Sequence, residues 1–232
     1  MNQKFSSDQL SEFMKYLAAS DLGQTDRLPP LTELSRQLGI SIASLREQLE
    51  VARAMGLVEV RPRTGIRRLP YTFKPAVLQS LAYGQIADEN TFSMFSDLRR
   101  HIESAYWYQA VSLLNSEDHE EMRGLVKRAL DKLHGTPIQI PHQEHRQLHL
   151  TIYKRLNNPF VMGILEAFWE LYEAYGLGFY TDLNYQERVW DYHNRMVEAI
   201  CSRNYNVGFE AMTQHMDLIF QRTRALPNLA FE

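Results

Sequence analysis

Four histidines in the second half of the chain, His145, His149, His193 and His215, have the residue type and spacing to do chemistry. His145 and His149 stand at i and i+4, so on a helix they lie one above the other. Ile152 and Leu156 continue that face, which turns both imidazoles toward a helical interior. His193 falls between Val189 and the group Met196, Val197 and Ile200, on an apolar stripe. His215 sits likewise with Ala211, Leu218 and Ile219. Each ring taken alone reads more simply as a satisfied core histidine. Taken together, four inward imidazoles from three helices can converge in a bundle core, and neutral imidazole is a common ligand for divalent transition metals. His142 is a spare candidate on roughly the same face but reads better as an exposed helix start. His101, His119 and His134 have no partner pattern and read as surface groups.

The elements that must position these rings are helical. Apolar periodicity predicts helices at about residues 92–114, 117–133, 141–156, 159–177, 185–202 and 205–223, with no strand signal among them. That pattern implies an antiparallel bundle. The first seventy residues differ. Leu10, Phe13, Met14 and Leu17 mark a short helix over 8–19, and a breaker stretch, DLGQTDRLPP, follows. LTELSRQLG makes a second helix ending at Gly39, and Ser41 caps a third that runs to about Met55. From 57 to 69, two short runs joined by Pro-Arg-Thr-Gly read as a small hairpin. The fold class is therefore mainly α: an N-terminal winged helix-turn-helix over 1–72, a linker over 73–91 and a helical bundle over 92–226. Pro70 and Pro75 and weak periodicity mark the linker.

Charge divides the same way. Residues 27–68 carry eight arginines against four glutamates, a net of +4, whereas residues 74–232 carry fifteen basic against twenty acidic groups, a net of −5. A basic end on an acidic body suits a protein that meets phosphate with one part only. No apolar run reaches membrane-span length, the N-terminus lacks a signal-peptide pattern, and the single Cys201 cannot make an internal disulfide. These features predict a cytoplasmic protein that makes no contact with a membrane.

The segment LPPLTELSRQLGISIASLREQLEVARAMGLVEVRPRTGIRRL resembles the winged helix of the GntR family. The likeness rests on Leu28-Pro29, Glu33-Leu34, Leu38-Gly39, Ser41, Leu45-Arg46-Glu47, Leu49, Gly56-Leu57-Val58 and Gly65, in family order and spacing. It implies DNA contacts from Ser41, Ser44 and Arg46 at the start of a groove-entering helix, and from Arg61, Arg63, Arg67 and Arg68 on the wing. Thr32 and Ile42 occupy two positions where the family usually has arginine, so the reading head departs from the common pattern. The plainer alternative is that the scaffold serves as a protein-contact module.

HRQLHLTIYKRLNNPF and DYHNRMVEAICSRNYNVGFEAMTQH resemble the FCD ligand-sensing domain of the FadR subfamily. His149 with Asn158 nine residues on, His193 ahead of Ala199-Ile200, and His215 twenty-two residues later match that domain's pattern. His145 stands where the family has aspartate, so the implied metal site has four histidines and favours zinc or nickel over manganese, calcium or magnesium. Asp97, Arg99 and Glu103 match a motif of the first FCD helix, where Phe95, Ile102 and Tyr106 share Arg99's face. The resemblance implies that Arg99 binds ligand, and a guanidinium beside a metal would grip a carboxylate. On spacing alone a snorkelling surface arginine is as good a reading. Tyr106, Trp107, Phe168, Trp169, Tyr172, Tyr175 and Tyr180 supply core and candidate pocket lining.

The resulting expectation is a ligand-responsive transcription regulator, a repressor and not an enzyme. It would bind a palindromic double-stranded operator as a homodimer and sense a small carboxylate effector at a divalent metal. The rival readings are a metal-dependent enzyme, with Glu166 or Glu170 as base, and a regulator whose metal is only structural.

Overall fold

The computed structural model describes residues 9–19, 26–63, 65–174 and 182–225, with side chains described as far as Leu218. Tyr175, Tyr180 and the last three residues of the expected 159–177 helix lie outside the described residues. The chain falls into two compact units, residues 1–80 and 81–232.

The first unit holds α1 (Glu12–Ala19), α2 (Leu31–Leu38), α3 (Ile42–Ala54), β1 (Val58–Arg61) and β2 (Gly65–Arg68). α1 begins later than periodicity suggested because the Ser11 hydroxyl accepts the Met14 N–H and caps the first turn. α2 ends on Gly39 in the left-handed conformation, φ 67°. Ser41 caps α3, its side chain accepting the Ser44 N–H at 3.1 Å. Phe13, Leu17, Leu34, Leu45, Leu49, Ala52, Val58 and Ile66 form one small core that locks the three helices to the hairpin.

β1 and β2 pair antiparallel, with Val58 opposite Arg68 and Arg61 opposite Gly65. The breaker stretch contributes more than a turn. Leu28 N–H donates to the Ile66 carbonyl and Arg68 N–H to the Asp26 carbonyl, so residues 26–28 add a short third edge to the wing. Gly56, at φ +68°, ends the α3 turn against Pro75, and a Cβ there would stand 2.5 Å from the proline Cγ.

The stretch expected to be linker is helical over much of its length, as α4 (Lys74–Ala87). None of its residues is buried, which is why no apolar stripe announced it.

The second unit contains α5 (Thr91–Ser112), α6 (Ser116–Leu133), α7 (His142–Tyr153), α8 (Pro159–Ala174), α9 (Leu183–Cys201) and α10 (Tyr205–Ala225), with no strand among its described residues. α10 packs along α9 and α5, α6 along α7 and α9, and α5 along α7 and α8. Asn115 and Asp118 form a reciprocal capping box at the head of α6. Burial alone would raise the Asp118 pKa, but Arg155, the Asn115 backbone and Lys154 outweigh it and hold the carboxyl well below the carboxylate range. Trp107, Met122, Leu125, Leu148, Ile152, Trp190, Met196 and Ile200 are among the side chains that fill the bundle core. No described helix is long and apolar enough to cross a membrane.

Candidate metal centre

Three helices bring the four histidines together. α7 supplies His145 and His149 from one face, α9 supplies His193, and α10 supplies His215. The rings are 8%, 1%, 0% and 0% exposed, in that order, and one nitrogen from each lies within 4.8 Å of the others. The Nε2 atoms face one another: 3.2 Å from His149 to His193, 3.3 Å from His149 to His215, and 3.4 Å from His145 to His215.

An imidazole nitrogen carries either one proton or one lone pair in its ring plane, so the Nε2 atoms of His149 and His215, each with two Nε2 neighbours, cannot satisfy both through ordinary N–H···N bonds. A tetrahedral ion with metal–nitrogen bonds of 2.0–2.1 Å spaces its ligands about 3.3 Å apart. Three of the six ring pairs meet at 3.2–3.4 Å, in keeping with that spacing, and the ligand atoms of all four rings lie within 4.8 Å of one another. The donor set fits a divalent borderline metal.

The electrostatics keep the lone pairs available. Burial is the main force lowering the pKa values of His145, His193 and His215 well below that of a free imidazole, and the charges on neighbouring rings push the same way. His149 is also lowered, by burial first, although Glu103 pulls against the shift. All four shifts favour the neutral, lone-pair-bearing imidazole that a metal requires.

Beside the cluster, Arg99 and Glu103 project from α5, 2% and 0% exposed. Arg99 Nε donates to Glu103 Oε1 at 2.6 Å, and Glu103 Oε2 lies 3.1 Å from His149 Nδ1. Burial would raise the Glu103 pKa, but Arg99 and His149 outweigh it and hold the carboxyl below its ordinary value. The Arg99 guanidinium stands 4.2 Å from the centre of the Phe168 ring and 4.9 Å from that of Trp169. This rules out the snorkelling alternative, because packing from α5, α7 and α8 encloses the whole side chain. Trp169 and Trp190 close on His145 at ring separations of 4.6 and 6.1 Å, and neither indole N–H has a hydrogen-bond partner among the described residues. The Tyr153 hydroxyl donates to the Glu103 carbonyl and ties α7 to α5.

The other sequence candidates fall elsewhere. His142 is half-buried at the start of α7 and outside the cluster. His101 and His134 are exposed as expected, but His119 is half-buried. Asn158 caps α8, accepting the Phe160 and Val161 N–H groups. Glu166 and Glu170 are half-exposed, and Glu170 lies 3.8 Å from Arg146. Among the described residues, the carboxylate that reaches the histidines is Glu103, to which sequence reasoning gave no role. Its signals were its place with Asp97 and Arg99 in the first-helix motif and its i, i+4 spacing from Arg99.

The FCD domain family matches residues 95–218, more than half of the 232-residue chain. The fold is similar to that of Streptococcus agalactiae GntR, with a TM-score of 0.65 at 16% identity over 93% of this chain and 97% of that one. The chain is a GntR-family transcription regulator with an FCD domain. The regulator is also similar in fold to E. coli McbR/YncC, with a TM-score of 0.53 at 17% identity over 94% of each chain. In sequence it is 22% identical to the Uxu operon regulator of Haemophilus influenzae over 83% of this chain and 71% of that one. It is 24% identical to the Uncharacterized HTH-type transcriptional regulator YieP of Escherichia coli, over 79% of this chain and 80% of the relative. These relatives are regulators and not enzymes, which sets the catalytic reading aside.

On the regulator's winged helix, Ser41, Arg46 and Thr32 are exposed and Ser44 is half-exposed at the head of α3. Arg61, Arg63 and Arg67 are exposed on the wing. Arg61 pairs with Glu59 at 2.9 Å, Arg67 lies 3.8 Å from Asp26, and Arg63 takes a positive φ of 67° in the turn. Arg27, on the added edge opposite Arg67, is an exposed wing cation that had been counted only as local charge.

Proposed function

We propose that this regulator represses transcription from a palindromic double-stranded operator as a homodimer, in response to a small carboxylate effector held at a divalent-metal centre. The observation that carries the reading is the buried convergence of four imidazoles whose ligand atoms all lie within 4.8 Å of one another. His145, His149, His193 and His215 would hold the ion, with zinc or nickel the best match to an all-nitrogen set. When bound, the ion supplies Lewis acidity, and a carboxylate oxygen would join the four imidazoles as a fifth ligand. Arg99 is hydrogen-bonded through Glu103 to the same cluster, close enough to give the carboxylate a second anchor.

The DNA contacts would come from the winged helix over residues 1–72. Ser41, Ser44, Arg46 and Thr32 would meet the major groove, and Arg61, Arg63 and Arg67 the backbone or minor groove. The linker over 73–91 joins it to the sensing bundle over 92–226. An effector acts here only if it favours one DNA-binding geometry over another.

The test is operator affinity. A duplex selected from random sequence by the full-length, zinc-loaded protein is titrated with and without a panel of acetate, malonate, succinate and citrate. At least one carboxylate should change affinity by about 5–150-fold, the usual span of allosteric coupling. Equal affinity across a broad carboxylate panel would contradict the sensing role.

A further inference from the structure

His149 differs from the other rings at its second nitrogen. Its Nδ1 meets a buried carboxylate, whereas Nδ1 of His193 and of His215 has no hydrogen-bond partner among the described residues. A carboxylate only accepts hydrogen bonds and a guanidinium only donates them. Glu103 Oε2 at 3.1 Å and Arg99 Nη2 at 3.0 Å therefore make opposite demands on the same Nδ1. With the proton on Nδ1, the ring donates to Glu103 and its bare Nε2 faces His193 and His215. With the proton on Nε2, Arg99 donates to Nδ1, but Glu103 Oε2 is pressed against an imidazole lone pair. Arg99 already has a strong partner in Glu103 through Nε at 2.6 Å, so it does not depend on the ring. Glu103 Oε2, by contrast, has no donor among the described residues apart from His149. Each tautomer leaves one of these groups unmatched, Arg99 Nη2 in the first and Glu103 Oε2 in the second, but only the first turns a bare Nε2 toward His193 and His215.

We propose that Glu103 is a positioning residue that locks His149 in its Nδ1–H tautomer and so aims the Nε2 lone pair into the four-histidine centre, with Arg99 holding the carboxylate in place. This deepens the metal reading and rests on it. Outer-shell partners of this kind orient a ligating ring and raise its basicity. They do so most strongly where water is excluded, as it is around side chains 0–2% exposed. Arg99 then has a role at the site before any effector arrives.

The experiment uses the full-length, chelator-treated protein with 15N-labelled histidine, with the His149 signals assigned by their loss in His149→Phe. Wild type should show a protonated Nδ1 and a bare Nε2. Glu103→Gln can donate to Nδ1 as well as accept from it, so the preference should weaken or reverse. Zinc titration should show an affinity about 10–100-fold lower, the usual cost of losing an outer-shell partner. Glu103→Gln leaves Arg99 buried without its counterion, so Arg99→Gln/Glu103→Gln, which removes both charges, is measured beside it, and both folds are checked by circular dichroism. An Nε2–H tautomer in wild type would overturn the proposal. So would an unchanged tautomer and unchanged zinc affinity in a folded variant. If wild type binds no zinc, nickel or cobalt, the metal reading fails and this proposal with it. If wild type binds metal but the tautomer does not depend on Glu103, only the positioning role fails.

Discussion

Burial gives the four imidazoles a direction of response to acid. Their pKa values are lowered in the folded protein, so the unfolded chain takes up protons at about pH 6.5 before the folded chain does. Stability of the metal-free protein should therefore be full above about pH 6.5 and fall as pH drops below it. The depressed Glu103 carboxyl adds a loss of the same sign at lower pH. Urea unfolding of chelator-treated protein at pH 7.5, 6 and 5 tests this, and a flat profile would count against it. Protons compete with metal for the same lone pairs, so zinc should be retained to a lower pH than exposed imidazoles would allow. His149→Ala should weaken zinc binding by more than the 10–100-fold typical of an outer-shell change. If that variant loses stability but keeps its carboxylate response, the metal is structural and not sensory. The histidines were legible from one-face periodicity because each sits on an apolar stripe of its own helix. Glu103 was legible only as a motif member beside Arg99, not as a partner of the cluster, since His149 lies 46 residues away and the contact exists only once α5 packs on α7.

Elements were legible wherever they bury a face. The helices of the bundle and the helix-turn-helix announced themselves through their apolar spacing, and Ser41 and Gly39 through their capping chemistry. α4 buries nothing and begins beside Pro75, so its sequence reads as linker. The short edge at 26–28 is held by backbone hydrogen bonds to β2, which side-chain patterns do not encode. Gly56 combines a positive φ with contact against Pro75, so Gly56→Ala should cost about 1–3 kcal/mol. An unchanged melting temperature would show that the turn relaxes freely. On the wing, Arg63→Ala and Arg67→Ala should each weaken binding to all duplexes alike and flatten the dependence of log affinity on log salt by about 0.9 if each meets one phosphate. A change confined to one base position would instead assign that arginine to base reading.

At the scale of the molecule, the charge division seen in the sequence has a structural counterpart. The arginine-rich stretch forms a winged helix with Arg61, Arg63 and Arg67 exposed on its wing, and the acidic remainder forms the FCD bundle. The reading head with Thr32 and Ile42 and the all-histidine centre both depart from the family pattern stated above, so neither operator nor metal follows from membership alone. The central claim is that the bundle holds one divalent metal through four imidazoles. Elemental analysis of the full-length protein after equilibration with zinc and exhaustive dialysis tests it directly, with His149→Ala/His193→Ala as comparison. The account predicts one zinc per chain in wild type and none in the folded double variant; a metal-free wild type, or equal zinc in both proteins, would contradict it.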